Sequence, residues 1–349
     1  MSSLNWKELF PTKLSLIIFI GYILLFVNQG ILVTASQRSD NNYNYNIVTV
    51  VLLTEVLKLV ISSVLYCKDN STGQLISEVV KHKHVLLLYF VPAFLYCLYN
   101  NLAFLNLSSF DPTTYFLLLQ LRVVVTGVLF QAIFKKILSK RQWISLVILT
   151  FGCMLKQINL TQTTSNTSSS NNTKAASVSL GIDAIFIFIQ IICSCLAGVY
   201  NEYLLKDKGA SINIFVQNVF MYLDSIVCNV LLLILNGNIL EAFVYENILK
   251  VLHYKVLLVM FNNAAIGIVT SFFLKNLNSI LKTFASALEL VFTALLSYLF
   301  FSIPIYLNTV LSIATVMGAT YLYSQNPVHN PPKPVQDDSI EKERLLEEV

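Results

Sequence analysis

The apolar positions of this chain fall in long uninterrupted runs, without the strict alternation of half-buried strands or the heptads of a coiled coil. Ten runs stand out, over residues 14–35, 46–67, 86–107, 113–134, 142–158, 179–203, 213–235, 251–274, 279–301 and 303–323. Each is close to the ~20 residues that an α-helix needs to cross the hydrocarbon of a bilayer. Two are broken by polar residues, the third by Tyr99-Asn100-Asn101 and the eighth by Asn262-Asn263; a tight turn near Pro304 separates the last two. A transmembrane barrel would show many short alternating segments. The pattern predicts an all-α polytopic membrane protein with ten transmembrane helices.

Composition agrees. The 349 residues are 56% hydrophobic and 12% charged, against about 25% charged in soluble domains. One soluble core could not absorb so many apolar runs. The net charge of +4 is spread between the runs and does not point to nucleic acid. Six cysteines lie in or at the edges of the runs, with no Cys-x-x-Cys spacing and no neighbouring histidine. They read as small buried hydrophobes, and His82, His84, His253 and His329 read as loop or interface residues. No metal site or cofactor is expected. Walker loop, His-Glu-x-x-His and nucleophile-elbow signatures are absent from the sequence, so nothing points to an enzyme. The first run lacks a small-residue cleavage pattern and reads as a retained span.

Lysine and arginine set an orientation. With a cytosolic N-terminus, fifteen of them flank the cytosolic side, and Arg38, Lys174, Lys250 and Lys255 the other. Both termini are then cytosolic. The Ser/Thr/Asn-rich stretch 159–178 falls on the lumenal side, with glycosylation sequons at Asn159, Asn166 and Asn171. Sequons at Asn106 and Asn70 fall at the membrane edge and in the cytosol, and neither is expected to be modified. The organisation expected is a cytosolic N-terminus (1–13), a first repeat of five helices (14–158), the lumenal loop (159–178), a second repeat of five (179–323) and a disordered, Pro-containing cytosolic tail (324–349). The halves resemble each other: Tyr99-Asn100-Asn101 answers Phe261-Asn262-Asn263, and Arg122 and Lys282 follow at similar spacing. An odd number of helices per half inverts the second half, as in alternating-access carriers that bind substrate between halves.

The most informative residues are Arg122 and Lys282, cations inside apolar runs. Such a charge costs at least about 2.5 kcal/mol on insertion scales unless a cavity, a partner or an anion offsets it. Both are candidates for anion contact. Tyr115, Leu119, Arg122 and Thr126 share a helical face, where a ring could stack a base and a guanidinium hold a phosphate. Lys282 follows the helix-disfavouring Asn276–Ser279 stretch and could lie near a helix N-terminus. Glu55 and Lys58, three apart, are expected to pair. Glu289, seven residues beyond Lys282 on one face, is expected to offset its charge, or else to sit near a bound ligand. Gln120, Gln190, Asn201, Gln217, Asn218, Tyr222 and Ser286 supply amides and hydroxyls to a pocket or to helix–helix bonds.

Several strings together resemble one family: YNNLAF at 99–104, Asp111…Tyr115…Gln120-Leu-Arg122, SKRQWISL at 139–146, AGVYNEYLLK at 197–206, FVQNVFMY at 215–222, LKTF at 281–284 and ATYLYS at 319–324. Over about residues 14–324 the chain resembles the nucleotide-sugar transporters of the Golgi and endoplasmic reticulum. The resemblance implies antiport of a nucleotide sugar, a UDP-sugar such as UDP-galactose, against the nucleoside monophosphate, UMP, across the Golgi membrane. It implies nucleotide contacts at Arg122, Lys282, Asn101, Tyr115, Asn218 and Tyr222, and a Glu55–Lys58 pair; Gln120 and Ser286 join the candidate contacts, with Glu289, Asn100, Asn262 and Asn263 behind them or at gates. The sequence departs from the family pattern at Arg122, where lysine is usual, and at Phe116-Leu117-Leu118, Asn278-Ser279, Thr283 and Glu289. Those departures bear on sugar and nucleotide choice and leave two alternatives open, a carrier for another sugar such as UDP-N-acetylglucosamine and a non-transporting scaffold of the same fold. Oligomeric state, including a homodimer, is open as well.

Overall fold

A computed structural model describes residues 9–36, 47–109, 115, 118–157, 175–235, 244, 249–301 and 307–331. The sequons at Asn159, Asn166 and Asn171, the tail beyond 331 and the side chain of Asn101 lie outside the described residues.

Long apolar stretches make helices because each backbone N–H and C=O is then satisfied within its own segment. The described residues form α-helices and no strand: α1 Lys13–Ser36, α2 Ile47–Cys67, α3 Thr72–Lys81, α4 Lys83–Ser109, α5 Arg122–Phe134, α6 Lys140–Gln157, α7 Ala175–Tyr203, α8 Ile214–Leu235, α9 Tyr254–Asn276, α10 Ser279–Phe301 and α11 Leu307–Ser324. Six of them (α1, α2, α7, α8, α9 and α10) are long and apolar enough to cross a membrane. Large apolar side chains stand outward on these helices, among them Leu24, Val64, Phe94, Phe188 and Leu299, as lipid contact requires.

The short α3 falls in a stretch that the apolar pattern leaves as a connection. Its ten residues are too few for a spanning signal, and a local capping box starts it: Ser71 accepts from the Gln74 N–H and the Gln74 side chain accepts from the Ser71 N–H. Leu75 and Val79 pack on a cluster around Tyr66, Tyr89 and Phe220.

The main core joins α1, α5, α6, α10 and α11 through Tyr22, Phe130, Leu146, Leu149, Phe284 and Tyr323. Close packing of α6 on α11 depends on Gly152, where an added Cβ would lie 3.1 Å from Val316, and on the Ser312 hydroxyl donating to the Gly152 carbonyl at 2.6 Å. The most extensive helix contacts are α6 with α11, α4 with α7, α1 with α9, α8 with both α2 and α4, α5 with α7, and α9 with α2.

The end of α7 widens into a π-helical segment, Leu204–Lys208, closed by the Gly209 N–H donating to the Leu204 carbonyl at 2.7 Å. Gln217 locks it, donating to the carbonyls of Gly209 (2.7 Å) and Ile212 (3.0 Å) and accepting from the Tyr89 hydroxyl (2.8 Å). A Cβ at residue 209 would stand 2.3 Å from the Gln217 side-chain oxygen, so a larger residue there must displace the Gln217 amide.

Candidate functional site

Arg122 and Lys282 come together. Both line one cavity of about 110 Å³, with Thr126 from α5, Ser194 and Cys195 from α7, and Ser279 and Ser286 from α10. They are close enough to repel each other. The described ion pairs join Lys58 to Glu55, Lys81 and His82 to Glu78, and Lys206 to Glu202. Among the described residues, then, neither Arg122 nor Lys282 has a carboxylate within ion-pair distance.

Backbone breaks explain where the two cations sit. Arg122 is expected midway along a continuous helix. Instead Gln120 and Leu121 form a turn, with the Val123 N–H reaching the Gln120 carbonyl at 3.2 Å, and α5 begins at Arg122. Lys282 lies in the first turn of α10, which starts at Ser279 because the Asn278 side chain accepts from the Leu281 N–H at 2.7 Å. Both cations therefore stand at helix N-termini, where partial positive charge adds to the pull on an anion.

Glu289, expected to offset Lys282 or to sit near a bound ligand, lies about 10 Å of helix rise beyond Lys282. Glu289 acts electrostatically on Tyr22, which is buried in α1 and shares a hydrogen bond with Ser286. Tyr22 is a site neighbour that the sequence reading missed; an aromatic in an apolar run carries no signal until its hydroxyl finds a partner.

A second cavity of about 280 Å³ adjoins the first, since Lys282 lines both. It holds Glu55, Lys58, Tyr96, Asn100, Asn201 and Tyr222 among its lining residues. Glu55 and Lys58 pair at 2.7 Å, and the Lys58 ammonium lies 5.6 Å from the centre of the Tyr222 ring. Gly267 makes this approach possible: a Cβ there would come within 2.9 Å of Lys58 Cε and 3.0 Å of the Tyr222 hydroxyl. Gly267 was missed too, because a glycine inside an apolar run reads as a packing residue.

The remaining candidates divide. Asn218 is buried, and among the described residues its side-chain N–H₂ has no hydrogen-bond partner. Gln120 lines the first cavity. Tyr115 is packed with Leu119, Ile187 and Ile191, and its hydroxyl accepts from Gln190, which itself accepts from Asn106. Gln190, Gln217 and the sequon residue Asn106 are therefore internal helix–helix groups. Asn262 ties α9 to α1, donating to the Leu25 carbonyl at 3.1 Å and accepting from Asn28 at 2.9 Å. The Asn263 side-chain oxygen is buried without a hydrogen-bond partner among the described residues. Chemically, the arrangement offers two convergent cations, helix N-termini, hydroxyls and an ion-paired aromatic corner. It suits an anion bearing a planar group and several hydroxyls.

Comparison with known proteins points the same way. The sequence model of the family described as nucleotide-sugar transporter matches residues 12–324. The chain is 60% identical over 351 aligned positions to the "UDP-galactose transporter senju" of Drosophila melanogaster, covering 94% of this chain and 90% of that protein. It is 29% identical over 306 positions to "CMP-sialic acid transporter 1" of Oryza sativa subsp. japonica, covering 86% and 91%. A solved crystal structure shares its fold at a TM-score of 0.60 and 11% identity, covering 89% of this chain and 96% of the other.

Proposed function

Since this chain belongs to the nucleotide-sugar transporter family, we propose that it carries a UDP-sugar, UDP-galactose in the first place, into the Golgi lumen in exchange for UMP. The 60% identity to a protein named as a UDP-galactose transporter supports the choice of cargo. The observation that carries the site is the meeting of Arg122 and Lys282 in one cavity, without carboxylate partners among the described residues. In this reading the two cations grip the phosphates. Tyr222 and Asn218 face the nucleoside, with Tyr115, Gln120 and Asn101 close by, and Ser286 meets the bound group. The Glu55–Lys58 pair shapes the adjoining cavity, which takes the sugar. Asn100, Asn262, Asn263 and Glu289 act behind these residues or at gates.

The carrier works by alternating access between two inverted halves of five helices, α3 being an extra surface helix. The helix contacts support this. Exchange α1 with α7, α2 with α8, α4 with α9, α5 with α10 and α6 with α11, and the most extensive helix contacts map onto one another. The α4–α7 contact becomes α9–α1, α8–α4 becomes α2–α9, and α5–α7 becomes α10–α1, while α6–α11 and α2–α8 map onto themselves. Arg122 and Lys282 then take corresponding places, each in the first turn of the corresponding helix of its half. Basic residues favour cytosolic termini, which leaves the 159–178 loop lumenal for glycosylation.

The test is exchange in proteoliposomes preloaded with UMP. Labelled UDP-galactose should enter, and CMP-, GMP- or AMP-loaded vesicles should take up less. UDP-N-acetylglucosamine in the same vesicles tests the sugar. Normal exchange by both Arg122→Ala and Lys282→Ala would overturn the site assignment.

A further inference from the structure

A pair of buried charges lies beside the Arg122–Lys282 cavity, joined to it through Ser279. Glu202, at the end of α7, is 0% exposed and Lys206, in the π-helical segment, 2%. The Lys206 ammonium donates to Glu202 Oε1 at 3.0 Å and to the backbone carbonyls of Leu277 and Asn330. Glu202 Oε1 also accepts from the Asn330 side chain at 2.6 Å, and Oε2 accepts from the N–H of Ser279, the first residue of α10, at 2.7 Å. The charge pair thus joins the end of α7, the start of the helix that carries Lys282, and the segment that follows α11.

That segment reaches across the molecule. Lys136, in the connection between α5 and α6, donates to Asn330 Oδ1 at 3.0 Å and to the His329 carbonyl at 2.9 Å. Gln142 donates to the Asn326 carbonyl at 2.9 Å, and Asn278 to the Val328 carbonyl at 2.9 Å. The 326–330 segment forms no helix; it is held largely through its carbonyls and the side chains of Asn326 and Asn330. It bridges the α5–α6 connection of the first half to α7 and α10 of the second. A rocking of one half against the other separates these partners, and a buried charge pair with fixed partners has two discrete arrangements rather than a continuum.

We propose that Glu202, Lys206 and the 326–330 segment form a latch, which holds this end of the carrier shut and fixes the helix start that presents Lys282. The proposal rests on the exchange reading above. Removing Asn330 takes a donor from Glu202 and an anchor from Lys136 while leaving the Glu202–Lys206 pair intact, so the protein still folds. The gate then spends more time open on the tail side.

The native cysteines report this. Cys195 lines the Arg122–Lys282 cavity and is 5% exposed, its thiol 3.2 Å from the Arg122 carbonyl. In a full-length chain keeping only Cys195, reconstituted in UMP-loaded vesicles, a membrane-impermeant maleimide is applied from the tail side and from the opposite side. Asn330→Ala should label at least several-fold faster from the tail side only, with a changed KM for exchange. Lys136→Ala, a surface change that cuts only the bridge between halves, should act in the same direction and covers a failure of Asn330→Ala to fold. Wild-type labelling rates from the tail side in the folded variants, with exchange unaltered, would overturn the latch. A wild-type protein that exchanges nothing would instead defeat the transport reading, and the labelling result would separate the two.

Discussion

Two lysines, the buried Lys206 and the half-buried Lys282, flank one break between helices and live in opposite surroundings. Lys206 is saturated: a carboxylate and two backbone carbonyls surround its ammonium. Lys282 faces two cavities, and another cation, Arg122, is close enough to repel it. Burial of charge alone therefore does not mark a binding site. A charge whose partners are all supplied by the protein holds a joint together. A charge left facing open volume beside a like charge is poised for a ligand of opposite sign.

The largest effect should break this comparison on the structural side. Lys206→Ala strands Glu202 as an uncompensated buried carboxylate and should destabilise the fold by about 3–5 kcal/mol, read as a large fall in the detergent melting temperature. The double change Glu202→Leu with Lys206→Met removes both charges and should recover most of that loss. On the binding side, Arg122→Ala or Lys282→Ala should leave the melting temperature unchanged or raised, since each removes a repelled cation. The same changes should lower UMP exchange by roughly 10- to 100-fold, the size of one hydrogen bond to a charged group. UMP at about 100 times its Kd should stabilise the wild type by ~2.7 kcal/mol and should fail to stabilise either variant.

Smaller changes sharpen the picture. Gly267→Ala drives a methyl to within 2.9 Å of Lys58 Cε and 3.0 Å of the Tyr222 hydroxyl. The Lys58 stem gives way and its ammonium shifts from the ring, so the apparent KM for UDP-galactose should rise several-fold with little change in stability. Smallest should be Arg122→Lys, which keeps the charge and loses the planar donor fork. A two- to fivefold change in nucleotide preference across a UMP, CMP, GMP and AMP panel is the expected readout, on the order of ~1 kcal/mol.

Much of this was legible along the chain. Apolar run length gave the helical class, because spanning segments must satisfy their own backbone. Arg122, Lys282 and the Glu55–Lys58 pair were legible because ionised groups in apolar runs violate the local pattern. The expected stop at Asn276–Ser279 is where α9 gives way to α10. Other parts were not legible. The turn at Gln120–Leu121, which makes Arg122 the first residue of α5, has no proline or glycine in residues 113–119 before it. Glu202 and Lys206, at the end of an apolar run, look like residues that reach for water. They are buried because remote segments, the Leu277–Ser279 break and residues 326–330, close over them.

By itself the sequence determined where helices could form and which residues would be expensive to bury, since both follow from local polarity and hydrogen bonding. The tertiary structure alone decided which of those charges would be answered by protein groups and which would face open space. That outcome depends on what distant segments bring to within about 3 Å, as Asn330 does for Glu202, and on where they leave a cavity, as beside Arg122 and Lys282. Short-range contacts between remote parts of the chain carry no periodic signature, so only the packed molecule separates the latch from the clamp.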